Sequence, residues 1–158
     1  MAKTETAAQR YARLNKIEAV FHLFDVSKNE KTTALDMAKA ANVDPARLFK
    51  TLVVASDTGK LACAIVPANC ELDRKALARI MTVKRIDLAP RDIAMKSSGY
   101  QMGACSPLGQ KKVLPVFLDN SANAFETIYV SGGAYGLQME IAAAELAHAT
   151  NATLARIT

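Results

Sequence analysis

Tryptophan is absent from this 158-residue chain, and five phenylalanines and four tyrosines are the only large aromatic residues. No pattern of aromatic platforms for stacking unpaired bases is visible, which argues against tight, independent binding of single strands. Cysteine is scarce too. Cys63, Cys70 and Cys105 are odd in number and show no C-x-x-C spacing, so the reading is free thiols in a reducing, cytoplasmic compartment, with no disulfide framework. His22 and His148 lie far apart in sequence, outside any H-E-x-x-H or Cys/His cluster, and no metal site is expected. No apolar run approaches the ~18 residues of a membrane span. The N-terminus, Met1-Ala2-Lys3-Thr4-Glu5-Thr6, has no apolar stretch after its lysine and does not read as a secretory signal. Low-complexity tracts, long linkers and internal repeats are missing as well.

What is present is a globular balance of 51% hydrophobic and 22% charged residues, with a formal charge of +5. Disordered, collagen-like and coiled-coil classes are excluded, and the length suggests one domain over residues 1–158. The small positive excess mildly favours anionic partners such as nucleic acid but decides nothing alone. Ala7, Tyr11 and Leu14 recur at helical spacing. Ala19 to Phe24 reads as a strand, and Thr33 caps a helix to Ala41 striped by Ala34, Met37, Ala38 and Ala41. Asp44-Pro45 signals a helix of one or two turns. Leu52–Ala55 and Leu61–Val66 form a hairpin around the turn residues Ser56-Asp57-Thr58-Gly59. Asp73 caps a helix facing inward with Ala76, Leu77 and Ile80, and Ile86–Leu88 is a weak strand. Lys96 to Lys112 reads as a functional loop, Val113–Leu118, Thr127–Val130 and Gly136–Ile141 as strands, and Ala142–Ala149 as a last helix. Short helices interleaved with hairpin-like pairs predict an α+β fold with a mixed or mainly antiparallel sheet.

Four features could carry chemistry. In Phe49-Lys50-Thr51-Leu52-Val53-Val54, period-two alternation puts Lys50 on the face of Leu52 and Val54. Such a cation either snorkels to solvent or aims into a pocket at a phosphate or carbonyl oxygen. The run Ser97 to Lys112 is dense in glycine, hydroxyls and proline, which suits outward N–H groups around an anion or oxyanion, or an ordinary surface loop. It is not a P-loop, since Gly103 and Gly109 are one residue too far apart, and Ser106 lacks the G-x-S-x-G frame of a nucleophile elbow. Ser131-Gly132-Gly133 ends a strand, where paired glycines permit either close approach to a ligand or a tight turn. Cys105 has no histidine near it in sequence, and packing is the usual role of such a thiol.

The strings Phe49 to Val54, Ser106-Pro107-Leu108-Gly109-Gln110-Lys111-Lys112 and Thr127-Ile128-Tyr129-Val130-Ser131-Gly132-Gly133, in that order, resemble the YbaK/EbsC family of free-standing deacylases that edit mischarged tRNA. The likeness runs from about Ile17 to the C-terminal helix. It implies an α+β domain with a curved, partly barrel-like mixed sheet flanked by short helices. By residue, it implies that Lys50 contacts the ester or terminal-adenosine end of the substrate. It likewise implies that Gly103 brings backbone to the aminoacyl carbonyl and that Ser131 orients the substrate there. Phe24, Ala104, Ser106, Gly132 and Gly133 become substrate-binding candidates. The chain departs from the family pattern at Phe24, commonly tyrosine, at Ala104, commonly a second glycine, and at Ala134-Tyr135, where many relatives carry Lys-Arg.

The activity the resemblance implies is removal of Cys from Cys-tRNA(Pro) with no cofactor, the substrate thiol attacking its own ester carbonyl. An intramolecular thiol already has a high effective molarity, so the protein need only fold the aminoacyl group and stabilise the oxyanion. The expected partners are the tRNA acceptor end and, transiently, prolyl-tRNA synthetase, with neither membrane nor DNA among them. Two alternatives stay open: a deacylase for another small amino acid, of the Ala or Ser type, and a non-catalytic module that binds tRNA or a synthetase.

Overall fold

The computed structural model describes residues 4–158. The chain runs α1 (Ala7–Leu14), β1 (Ala19–Leu23), α2 (Ala34–Ala41), β2 (Phe49–Ser56), β3 (Leu61–Pro67), α3 (Arg74–Met81), β4 (Ile86–Leu88) and α4 (Arg91–Ser98). It continues through β5 (Val116–Asp119), a 3₁₀ turn (Asn120–Ala124), β6 (Ile128–Ser131), β7 (Leu137–Ile141), α5 (Ala143–Thr150) and β8 (Thr153–Ala155). The fold is therefore α+β, as the pattern predicts. Its strands form two sheets, ordered β1-β7-β6 and β4-β2-β3-β5-β8. The first is antiparallel; the second is mixed, with β3, β5 and β8 parallel. Among the described residues a single parallel bridge, from Leu48 to Tyr129, links them, so the two sheets are not closed into a barrel.

Burial explains this order. Ala62 to Val66 of β3 are all wholly buried, as a strand flanked by β2 on one edge and β5 on the other requires. The largest core cluster draws Phe49 and Val53 from β2, Ile65 from β3, Val130 and Met139 from β6 and β7, and Leu146 from α5. Behind the second sheet, Leu77 and Ala78 of α3 cover Val54 and Val66. The β2–β3 hairpin turns as expected, with Ser56 Oγ accepting from the N–H groups of Thr58 and Lys60.

Several local expectations need correction. α1 buries Ala8 and Ala12, leaving Tyr11 and Leu14 exposed. The reason is a close approach: the Thr6 hydroxyl, which caps α1 by accepting from Gln9 N–H, donates to Gly132 O at 2.6 Å. A Cβ on Gly133 would lie 2.7 Å from the Tyr100 ring and 3.1 Å from Thr6 Cβ, so only small residues fit beneath this helix. Ile80 of α3 is likewise exposed. Asp44-Pro45 begins a single turn and not a helix, with Asp44 Oδ1 accepting from Ala46 N–H. Lys96 to Ser98 are helical: α4 enters through Pro90 and ends at Gly99 in the left-handed region, and its small, polar buried face (Ala94, Ser97, Ser98) hid it in the sequence. Val113 to Pro115 stay outside β5, where a proline has no N–H to donate to a ladder. The 3₁₀ turn and β8 carried no signal strong enough to be read.

Arg47, at the end of the turn after α2, fastens that segment to the three-stranded sheet. Its guanidinium donates to Thr127 O and Glu140 Oε2 and lies 5.0 Å above the Tyr129 ring. Glu140 also accepts from the Thr127 hydroxyl at 2.6 Å and pairs with His22 at 3.0 Å. The Thr127 hydrogen bond, followed by His22 and Arg47, holds the Glu140 carboxyl below its ordinary range against the opposing effect of burial. A carboxyl lowered in the folded state stabilises the fold above its unfolded pKa and loses that contribution as pH falls through the folded value. Glu140→Gln should therefore lower stability by about 1–2 kcal/mol at pH 7. The deficit should vanish towards pH 3, as measured by urea unfolding across pH.

Candidate active site

β4 pairs only with Val54–Ser56, so one edge of β2 from Phe49 to Leu52 is left uncovered by any strand. That open edge forms one wall of a cleft of about 320 Å³. α2 contributes Met37, α4 and the segment after it contribute Ser98, Tyr100 and Gly103, and the ends of β6 and β7 contribute Ser131 and Gln138. Lys50, Gly103 and Ser131, far apart in sequence, thus line one cavity.

Lys50 is half-buried beside the fully buried Phe49 and stands opposite Val66 of β3. Among the described residues it forms no ion pair. The acid nearest in role, Glu30 at the cleft wall, is paired with Arg91 at the start of α4. An ammonium on an apolar floor with no protein counter-ion keeps its attraction for an anionic or strongly polarised oxygen.

Gly103 has φ +84, and a Cβ there would meet Glu30 Cα at 3.4 Å and the Tyr135 ring at 3.6 Å. The loop that holds it is tethered on both sides. Tyr135 donates its hydroxyl to Met102 O at 2.7 Å, and Lys111 and Lys112 donate their N–H groups to Ser98 O and Ser97 O. Tyr135 thus fixes the loop at the position where the family resemblance would place a cation. Ser131 ends β6 directly opposite Gln138, and its Oγ accepts from Gly133 N–H at 3.2 Å.

The other five candidates do not line the cleft. Phe24 packs with Met37 and Leu48, one layer behind the wall, and donates its N–H to Gly136 O. Ala104 is buried and its N–H turns back to Gln101 O. Ser106 is wholly buried, its Oγ accepting from Leu108 N–H and its carbonyl from the Gln110 amide. Gly132 and Gly133 form the tight turn under α1, where a Cβ on Gly132 would lie 2.8 Å from Leu137 Cγ. Their glycine character answers to packing.

Two lining residues escaped the sequence reading. Thr51 Oγ1 and Gln138 Oε1 are shielded from solvent, yet neither has a hydrogen-bond partner among the described residues. Such an atom costs about 1–3 kcal/mol if nothing satisfies it. Gln138 sits between Leu137 and Met139, so alternation alone assigns it to a solvent face; only the packing of the cleft against that face reveals its burial.

The cleft offers little by way of a protein nucleophile. Cys105 lines it, but burial, with a smaller effect of the neighbouring Cys63, pushes its thiol up to about 12. Burial likewise raises Cys63 to about 11. Neither histidine lines the cleft, and among the described residues no three His, Cys, Asp or Glu side chains gather as metal ligands. Iodoacetamide at pH 8 should accordingly modify Cys70 first, because a thiol titrating near 12 is only about 10⁻⁴ ionised there. Peptide mapping that found Cys105 alkylated as fast as Cys70 would contradict its protected state.

Comparison with known proteins adds a family likeness to this geometry. The family model described as the aminoacyl-tRNA editing domain matches residues 28–149. The chain is 32% identical over 154 residues to the Enterococcus faecalis protein named "Putative Cys-tRNA(Pro)/Cys-tRNA(Cys) deacylase EbsC", covering 98% of this chain and 93% of that one. It is 33% identical over 103 residues to a proline–tRNA ligase of Syntrophotalea carbinolica, a match spanning 60% of this chain and 18% of the ligase. Among solved structures, that of "a putative trans-editing enzyme for prolyl tRNA synthetase" superposes with a TM-score of 0.84 at 20% identity, covering 99% of each chain. At that identity the likeness is one of fold.

Proposed function

Because this chain belongs to the aminoacyl-tRNA editing domain family, we propose that it is an aminoacyl-tRNA deacylase acting in trans, and that its substrate is cysteine esterified to tRNA(Pro). The whole chain serves as one editing domain. The observation that carries this reading is the convergence of Lys50, Gly103 and Ser131 on a single cleft that holds no activated nucleophile of its own. A cavity of about 320 Å³ with walls such as Met37, Phe49 and Val53 suits a small amino acid and part of the terminal adenosine.

In this mechanism the substrate supplies the attacking atom. The cysteine sulfur forms a bond to its own carbonyl carbon, the carbon–oxygen bond to the terminal ribose breaks, and the thiol proton ends on the ribose oxygen. A cyclic thioester leaves and tRNA is freed. Lys50 stabilises the negative charge that develops on the ester oxygens, the backbone at Gly103 approaches the carbonyl, and Ser131 orients the acyl chain. The protein thereby contributes folding of the substrate and electrostatics, both of which are largest where water is excluded. The match to part of a proline–tRNA ligase supports prolyl-tRNA synthetase as the transient partner, in the cytoplasm where charged tRNA is handled. No helix of the described residues is long and apolar enough to cross a membrane.

Purified protein should release cysteine from Cys-tRNA(Pro) and leave the S-methylcysteinyl form intact, because methylation removes the attacking thiol. Ser-tRNA(Pro) should react far more slowly, since a hydroxyl is the weaker nucleophile. Equal release from all three would replace the thiol route with attack by water. Lys50→Ala should lower kcat/KM by about 2–4 kcal/mol, about 30- to 1,000-fold, with its melting temperature retained. A folded Lys50→Ala protein of full activity would remove the lysine from the mechanism.

A further inference from the structure

The unexplained polar atom nearest the proposed chemistry is Gln138 Oε1. The residue is 6% exposed, its side-chain oxygen has no partner among the described residues, and it lines the cleft. Its neighbours in register are committed elsewhere. His22, beside it on β1, is turned to Glu140, and Ser131, beside it on β6, accepts from Gly133 N–H. A buried carboxamide oxygen without a donor is an acceptor waiting for one.

We propose that Gln138 forms the subsite for the α-amino group of the aminoacyl ester, accepting an N–H from the primary ammonium through Oε1. This inference rests on the deacylase reading above. Antiparallel partners have Cα atoms about 4.5–5.5 Å apart, so a substrate held at Ser131 brings its α-carbon substituents within reach of the neighbouring amide. Charge decides which substituent goes there. Lys50 repels a cation and attracts the ester oxygens, so the ammonium turns from the β2 wall towards the β6–β7 wall. Glu30, the one carboxylate lining the cleft among the described residues, is already paired with Arg91 and cannot take that place without breaking the pair. A neutral amide suits the task. It recognises the ammonium without neutralising Lys50, whereas a carboxylate on that wall would compete with the ester for the lysine.

The test uses tRNA(Pro) ending in 3′-amino-3′-deoxyadenosine, acylated through a stable amide with either cysteine or 3-mercaptopropionate. The two probes differ only in the α-amino group, and both keep the thiol and the remaining ribose hydroxyl. The wild-type protein should bind the cysteinyl probe about tenfold or more tightly than the other. Gln138→Met should bring that ratio close to one while leaving affinity for the mercaptopropionyl probe unchanged, and Gln138→Glu should raise the ratio. A wild-type ratio of one overturns the inference. So does a ratio that survives in Gln138→Met, or a Gln138→Glu ratio no higher than that of the wild type. If the wild-type protein in addition leaves aminoacyl-tRNA esters intact and binds neither probe, the deacylase reading falls with it. If ester hydrolysis persists, only the assignment of Gln138 fails.

Discussion

An ammonium group at the buried start of a strand, with its protein counter-charges spent elsewhere, is the constraint around which the cleft is arranged. Lys50 emerges beside Phe49 on the open edge of β2, and Glu30, the one carboxylate lining the cleft among the described residues, has another partner. Glu30 is held by Arg91. Were it released, it could cancel the charge that a substrate oxygen would otherwise meet. The Glu30–Arg91 pair is about half-exposed and contributes little to stability by itself. Its larger effect is to keep Lys50 without a protein partner among the described residues.

Close packing brings the other walls to that charge. Small residues and glycines let α1 sit against the β6–β7 turn, and the Thr6 hydroxyl reaches Gly132 O there. Two tyrosine hydroxyls then set the loop after α4, Tyr100 on Leu108 O and Tyr135 on Met102 O. Gly103 packs against Glu30 with a positive φ of +84, a backbone conformation that a residue with a side chain adopts only under strain. The cleft is therefore assembled from five separate stretches of chain, each fixed by a hydrogen bond or a close contact made outside the cavity. The backbone bridge between the sheets, Leu48 to Tyr129, lies next to the Arg47 and Tyr129 contact that ties the same two regions.

The family, and Lys50, Gly103 and Ser131 as candidates, are legible in short motifs, because each motif sits at a strand end or a turn where local chemistry is strongest; that the three line one cleft is not, since it depends on contacts between distant segments. The hairpin and the caps at Thr33 and Asp73 also follow from local rules. α4 did not, since a helix that buries alanine and serine has no hydrophobic stripe. Neither did Ser106 and the glycine pair, whose turn residues look alike whether they serve a ligand or a packed neighbour.

What the order of residues determined alone was the class of the fold, the family, and the placing of a cation in an apolar strand. Those depend on spacing and local propensity. Which charges are neutralised, which glycines face the cavity, and that the Gln138 oxygen lacks a partner were decided only in three dimensions. Each of these depends on distances between segments separated by tens of residues, and no local pattern encodes them.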